Sequence, residues 1–354
     1  MAKSKKEFPE VRKINWRSGG GLGKQIMATA VLKAFRSQNP DAVIHAMTSY
    51  PEAFTGLEDV IDRTYPLSVV PHFFEDHKDF EVMEVEPYTD LQYRSGELHL
   101  IEAWCKMLGI QAPSTLCGVI NLVDEERAAA EQFLNQIKLD RPLVAFQPFG
   151  GTSYYSPQEA QNPTRPQHYR ELKKETAQAI VNYLVNLGYA VLHIGLPTEP
   201  QLQNCLRLSD KDPMNPRYIF SLLDRCQYGI FIDSFAQHAW AALGKKNAVV
   251  LWGGTNPKTL GYPTNVNMVN QESCSFLHCN RPNTFMFDFG GNGQPWRCVV
   301  GGKCMKFDAE AVVKKFIETN ETSKMTEFEK LIKKQDKAAS APPQIMPGNP
   351  ADLK

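Results

Sequence analysis

The sequence predicts an α/β protein of two domains, each built on a parallel, doubly wound sheet, facing one another across a central cleft. Three observations carry this expectation. Two glycine- or serine-marked turns, Ser18-Gly19-Gly20-Gly21-Leu22-Gly23-Lys24 and Asp233-Ser234-Phe235-Ala236-Gln237-His238, lie about two hundred residues apart and each opens a helix after a strand, where bare helix amides favour an anion. The run before the second, Tyr228-Gly229-Ile230-Phe231-Ile232, is apolar throughout, as in a strand buried on both faces. Strand-like and helix-like stretches alternate along the chain, the pattern of parallel sheets with crossover helices.

In order, residues 1–10 read as a charged, mobile arm, and 11–140 as a first domain. Its expected elements are a strand near 12–17, a helix over 24–37 with a stripe of Ile26, Met27, Ala30, Val31, Ala34 and Phe35, and a strand at 42–46. Short strands at 60–62 and 80–83 and helices near 97–109 and 124–138 complete it. Arg141-Pro142 marks the boundary, and 141–320 forms the second domain. It starts with strand 143–147 and a Gly-, Ser-, Tyr- and Pro-rich loop over 148–167, long enough to be functional or disordered. Helix 168–187 ends at Gly188; strand 189–194, helix 218–226, strand 228–232, helix 235–243 and strand 248–252 follow. A helix from Asp308 to about 319 precedes a charged helix near 325–336 and a Pro/Ala-rich tail, together 321–354.

At 354 residues the chain suits two domains better than one core. Lys plus Arg and Asp plus Glu are 39 each, so no overall field draws it to nucleic acid or an anionic membrane. No apolar run approaches the roughly 18 to 20 residues of a transmembrane helix, and the first residues lack a signal-peptide core, which predicts a cytoplasmic protein. Eight cysteines in so long a chain do not form a secreted disulfide framework. Gly19 to Lys24 is not a nucleoside-triphosphate loop, which needs Gly at Ser18 and Ser or Thr at Gln25.

The order of five motifs resembles a known family: the glycine turn and helix at 19–37; Gln147-Pro148-Phe149-Gly150 after a strand; Asn186 through Gly195; Asp233-Ser234 with His238 and Ala241-Ala242-Leu243-Gly244; and Leu251-Trp252-Gly253-Gly254-Thr255-Asn256-Pro257. Over roughly residues 12–320 it is similar to glycosyltransferase family 9, the ADP-heptose:lipopolysaccharide heptosyltransferase group. The resemblance implies a GT-B fold of two Rossmann-like domains, a nucleotide-sugar donor on the second, an acceptor on the first, and inverting, metal-independent transfer. No cofactor is implied beyond the nucleotide-diphosphate sugar, whose pyrophosphate requires fixed positive potential as it leaves.

That reading makes Gly150, Arg165, Asp233, Ser234, His238, Thr255 and Asn256 the donor-binding candidates, and Gly20, Gly21, Gly23 and Lys24 an anion or acceptor loop. Asp233 and Ser234 are equally suited to cap their helix, His238 to the core, and Asn256-Pro257 to an ordinary turn. Two positions depart from the family's pattern. Where it carries an Asp thought to be the base, this chain has Lys24, and Arg165 is the one clear phosphate ligand in the loop. An ammonium at the positive end of a helix dipole is unfavourable unless an anion is near. Lys24 is therefore expected to hold a phosphate or carboxylate, and the proton to pass to Asp90, Glu97 or His99, which lie in a Tyr-, Arg- and acid-rich segment with Ser95 as the expected helix cap.

Cys274, Cys279, Cys298 and Cys304 are spaced C-x4-C, x18, C-x5-C. Four thiolates suit a structural metal, zinc or iron, but this spacing is looser than common zinc sites, and buried free thiols are the other reading. Among proteins the chain resembles, some in autotransporter glycosylation carry cysteine-bound iron with different spacing.

The leading function is therefore transfer of a heptose- or pentose-like sugar to a hydroxyl of a glycan or other polar acceptor, a nucleic acid staying among the open alternatives. A non-catalytic nucleotide-sugar-binding or assembly protein, and a GT-B epimerase, are the competing classes. Oligomeric state is not legible.

Overall fold

The computed structural model describes residues 11–68, 72–150, 170–207, 215–270, 274, 278, 279 and 302–339. Arg165, Cys298, the 1–10 arm and the Pro/Ala-rich tail lie outside them.

The first half contains β1 (Lys13–Ser18), α1 (Leu22–Gln38), β2 (Val43–Thr48), β3 (Arg63–Pro66), α2 (Phe73–Asp76), β4 (Glu81–Met83), α3 (Leu91–Ser95), α4 (Leu100–Met107) and α5 (Asp124–Gln136). Its four strands are parallel in the order β3-β2-β1-β4. The second half contains β5 (Leu143–Gln147), α6 (Lys174–Asn186), β6 (Ala190–His193), β7 (Leu206–Arg207), α7 (Pro216–Arg225), β8 (Tyr228–Ile232), α8 (Phe235–Ala242), β9 (Val249–Trp252), α9 (Pro257–Leu260), β10 (Val266–Val269), α10 (Ala309–Asn320) and α11 (Met325–Ala339). Its six strands, again parallel, run β10-β9-β8-β5-β6-β7.

Each order reverses once. In the first sheet the chain leaves β1 toward β2 and β3, then returns to the other side of β1 for β4. In the second it leaves β5 toward β6 and β7, then returns for β8, β9 and β10. The reversals fall between β1 and β4, and between β5 and β8. Ligands of open parallel sheets bind beyond the carboxyl ends of the strands at such points.

Alternation along the strands sorts the core. Leu143, Ala145, Leu192, Phe231, Val250 and Trp252 point to one face of the second sheet, and Val144, Phe146, Val191, Ile230, Val249 and Leu251 to the other. The second face is closed by α6, α10 and α11 through Ile180, Phe316 and Phe328. The first is closed by α7 and α8 and is continuous with the core of the first domain, where Trp16 lies 5.1 Å from Trp104 and α1 buries Ile26, Val31 and Phe35.

The domains meet through polar as well as apolar contacts. Ile120 N–H donates to the Ala242 carbonyl (3.3 Å). Arg217 on α7 makes a two-pronged ion pair with Glu126 on α5 (2.7 and 2.6 Å) and donates to the Asn121 (2.5 Å), Glu52 (3.4 Å) and Thr55 (3.3 Å) carbonyls.

Several elements differ from expectation. The helix expected near 97–109 is α4, which begins at Leu100, and a separate short helix not expected there, α3, precedes it and ends at Gly96 with φ +81°, a conformation glycine tolerates without strain. Asp90 caps α3 and His99 caps α4, whereas Ser95 is the last residue of α3. Residues 60 and 61 form a turn on the Leu57 carbonyl, and the strand follows at β3. Helix α6 begins at Lys174, and 170–173 are not helical. The edge strands β7 and β10 were not expected.

Candidate active site at two facing switch points

The carboxyl ends of β1 and β8 put the two predicted turns against each other. Gly23, at the start of α1, packs on α8 so closely that a Cβ there would sit 2.6 Å from His238 Cδ2 and 3.5 Å from Phe235 Cα. The glycine at this position lets two helix N-termini share one cleft. The turn itself is held by Gln25, which donates to Ser18 Oγ (3.1 Å) and the Gly19 carbonyl (2.9 Å) and accepts from Thr48 (2.7 Å). Gly20 takes φ +107°, and Gly21 has open space around it.

On the second-domain side Asp233 ends β8 and is buried. Arg170 Nη1 lies 4.0 Å from its Oδ2, and His238 Nε2 lies 3.9 Å from its Oδ1. Burial raises its pKa, partly offset by Arg170, Thr255 and Gln237. His238 Nδ1 meets the Tyr262 hydroxyl at 2.8 Å. Burial, then Arg170, push the His238 pKa down to about 3, so the ring is neutral near pH 7 and supplies a hydrogen bond, not a charge. Ser234 occupies the N-cap of α8 in an extended conformation without a side-chain cap bond, and the Ala236 amide of the first turn donates to Gln147 Oε1 at the end of β5 (3.3 Å). Gly150, after β5, fits between Ile232 and Ser234, where a Cβ would lie 2.8 Å from Ile232 Cδ1. Thr255 is buried beside Asp233. Asn256 caps α9 through Lys258 N (2.9 Å), and its amide lies against Gly96 of the first domain.

On the first-domain side the three expected base candidates are occupied with local structure. Asp90 accepts from the Gln92 and Tyr93 amides (2.9 and 3.0 Å) and from Lys106 (2.7 Å). Against the upward push of its burial, these partners hold its pKa below the ordinary value. His99 caps α4 through Nδ1 and the Ile101 amide (3.3 Å), and burial with a neighbouring His238 lowers its pKa to about 4. Glu97 is exposed and bound to Ser95 (2.7 Å) and Gln92 (3.3 Å) of its own turn. Lys24 does hold an anion, but one from its own domain. Its Nζ lies 2.7 Å from Glu86 Oε2, 5.3 Å from the Tyr88 ring centroid and 5.4 Å from that of Trp104.

Sequence reasoning missed Glu86, Arg170, Tyr93 and Tyr262. Tyr93 is buried in the cleft with its pKa pushed well up by burial, and Tyr88, Asp233, Thr259 and Arg170 surround it. The usable signal for Glu86 was its place just past β4, beside the switch point; for Tyr262, its place one turn past Asn256-Pro257.

Of the cysteine cluster, Cys274 and Cys279 are half-buried and Cys304 is buried. Among the described residues no three or more His, Cys, Asp or Glu side chains are grouped to hold a metal, and no helix is long and apolar enough to cross a membrane.

No protein-family model matches the sequence, and no curated protein matches it. Solved structures do. The chain is similar to a family 9 glycosyl transferase from Veillonella parvula (16% identity, TM-score 0.61, 87% of this chain and 97% of that one). It is also similar to the iron-containing heptosyltransferase TibC of enterotoxigenic E. coli, solved with ADP-D-β-D-heptose (13%, TM-score 0.59, 87% and 76%). A third is E. coli ADP-heptose lipopolysaccharide heptosyltransferase II (13%, TM-score 0.51, 73% and 90%). Two parallel sheets with opposed switch points, superposable over most of the chain on these enzymes, give this protein the two-domain GT-B fold of glycosyltransferases.

Proposed function

We propose that the chain is a cytoplasmic glycosyltransferase of the family 9 type. It moves a heptose- or pentose-like sugar from a nucleotide-diphosphate donor on the second domain to a hydroxyl of a glycan or other polar acceptor on the first, with inversion and without a metal. The observation that carries this reading is the apposition of two helix N-termini at facing switch points, Gly23 against His238. It creates one site with fixed positive potential from two directions. That TibC was solved with ADP-D-β-D-heptose supports a nucleotide sugar as donor.

In this assignment the α8 amides and Ser234 take the pyrophosphate. Asp233 orients Arg170, and Arg170 and Arg165 neutralise the leaving diphosphate. Neutral His238, engaged through Nδ1 by Tyr262 (2.8 Å) and through Nε2 by the Gln237 amide (3.2 Å), walls the phosphate site on the α8 side. Thr255 and Asn256 close the far side.

A thermal-shift screen of ADP-, UDP- and GDP-sugars tests donor binding, since a ligand bound only by the folded chain stabilises it by about 2.7 kcal/mol at a hundredfold excess over Kd. Asp233→Ala and Arg165→Ala are each expected to weaken donor binding by about 1.5–3 kcal/mol, the worth of a charge-assisted contact. Unchanged affinity in both folded variants would remove the site assignment. Turnover is expected to survive EDTA, and loss restored by a divalent ion would overturn metal independence. Lys24, tied to Glu86, favours one rival, a binding protein without turnover. Tight donor binding with no sugar release to any acceptor, water included, would establish that rival.

A further inference from the structure

Two carboxylates follow β4: Glu84, which pairs with Arg17 of β1 (2.8 Å), and Glu86. Glu86 follows β4 as Gly19 to Lys24 follow β1, so Glu86 and Lys24 flank the switch point of the first sheet. Lys24 is 6% exposed at its side chain, and Glu86 is 52% exposed. A buried ammonium requires a counter-charge, and Glu86 Oε2 supplies it at 2.7 Å. Glu86 Oε1 accepts only a long bond, 3.3 Å, from the Tyr88 amide. One oxygen is thus anchored, while the other keeps lone-pair capacity on a side chain that is half exposed. The neighbouring residue Gly23 touches His238. The Tyr88 ring leads to Tyr93 (5.6 Å between centroids), which lies beside Asp233 and Arg170. Glu86 caps its own short turn only through that long Tyr88 bond, whereas Asp90 is held by three donors and His99 and Glu97 lie in their own cap or turn.

We infer that Glu86 is the general base of the transfer and Lys24 its positioning residue; the inference rests on the transferase reading above. The acceptor O–H passes its proton to Glu86 as the acceptor oxygen attacks the anomeric carbon. A carbon–oxygen bond forms there. The bond from that carbon to the β-phosphate oxygen breaks, and its electron pair leaves with the nucleotide diphosphate. The proton then passes from the half-exposed carboxyl to solvent.

The test uses the full-length chain and whichever ADP-, UDP- or GDP-sugar stabilises it, with water as acceptor and nucleotide diphosphate release as the readout. Positioned general bases contribute about 10²–10⁴-fold. Glu86→Gln is therefore expected to slow release by at least about a hundredfold while the Kd for the free nucleotide diphosphate stays within about twofold, because Glu86 lies on the acceptor side. Sodium azide, a nucleophile with no proton to lose, is expected to restore release in Glu86→Gln by forming the glycosyl azide. Glu86→Asp, folded and still acidic, is expected to fall between the two. Release by Glu86→Gln within threefold of the native chain, or a slowed variant that azide does not rescue, overturns the assignment and leaves the transferase reading standing. A native chain that binds no nucleotide sugar, or binds one without releasing product, overturns the transferase reading and this base with it.

Discussion

Arg217→Ala is expected to lower the free energy of unfolding by about 3–5 kcal/mol, the cost of breaking a buried ion pair from one side. Its guanidinium, 8% exposed, binds Glu126 with two prongs and caps three carbonyls from the 52–55 and 121 segments. The truncation leaves Glu126 without the partner that, against burial, holds its pKa low, and it leaves those carbonyls unmatched. Arg217→Lys is expected to recover little of the loss, because an ammonium cannot repeat the planar fork. Urea unfolding followed by tryptophan fluorescence reads both. A change below about 1 kcal/mol in Arg217→Ala would mean that the Arg217 ion pair adds little to joining the domains.

Acid is expected to destabilise the protein well above the range where surface carboxylates titrate. Burial lowers the pKa of His99 to about 4, of His193 to about 4 and of His238 to about 3, from 6.5, with His45 shifted in the same direction. Each imidazole is neutral in the fold and protonates in the unfolded chain first. The stability it lends is complete above pH 6.5 and is lost as pH falls toward the folded value. Two buried carboxyls act oppositely. Glu199, raised by burial to about 8 from 4.5, lends stability that is complete below pH 4.5 and declines as pH rises to about 8. Asp233 is also raised. The imidazoles are only half protonated in the unfolded chain at pH 6.5 and almost wholly so near pH 5, so their uptake passes the at most two protons that Glu199 and Asp233 hold in the fold only as pH falls below about 6. One proton corresponds to about 1.4 kcal/mol per pH unit, so a net uptake that climbs to about one proton costs about 1–2 kcal/mol between pH 6.5 and 4.5. A urea midpoint that stays level or rises from pH 6.5 to 4.5 would refute this.

The parallel architecture was legible because strands buried on both faces read as unbroken apolar runs. Leu143–Gln147 and Tyr228–Ile232 are such strands. Edge strands have no such signature. Leu206–Arg207 is two residues long, and Val266–Val269 alternates with Asn on a half-buried edge. Helix α3 was not expected because Leu91–Ser95 is too short to carry a periodic signal, and the positive φ of Gly96 that ends it is not written in the sequence. In the site, residues at the turns were readable because a strand-to-helix turn is local in sequence. Asp90 and His99 misled for the same reason: their chemistry fits both proton transfer and helix capping, and a sequence does not say which amides are near. Glu86 stands 62 residues from Lys24. Only the order of β1 and β4 brings the two together.

The continuous core beneath the cleft limits how such a protein can breathe. The side chains on one face of the second sheet, covered by α7 and α8, belong to the same apolar mass as those between α1 and the first sheet. Opening the two halves like a clam would wet part of that mass, at about 1.5–3 kcal/mol for each large side chain exposed. Wide excursions are therefore rare events. The floor, with Gly23 seated on His238, is held by that same apolar mass, so the electrostatics of the cleft are in place before anything binds there.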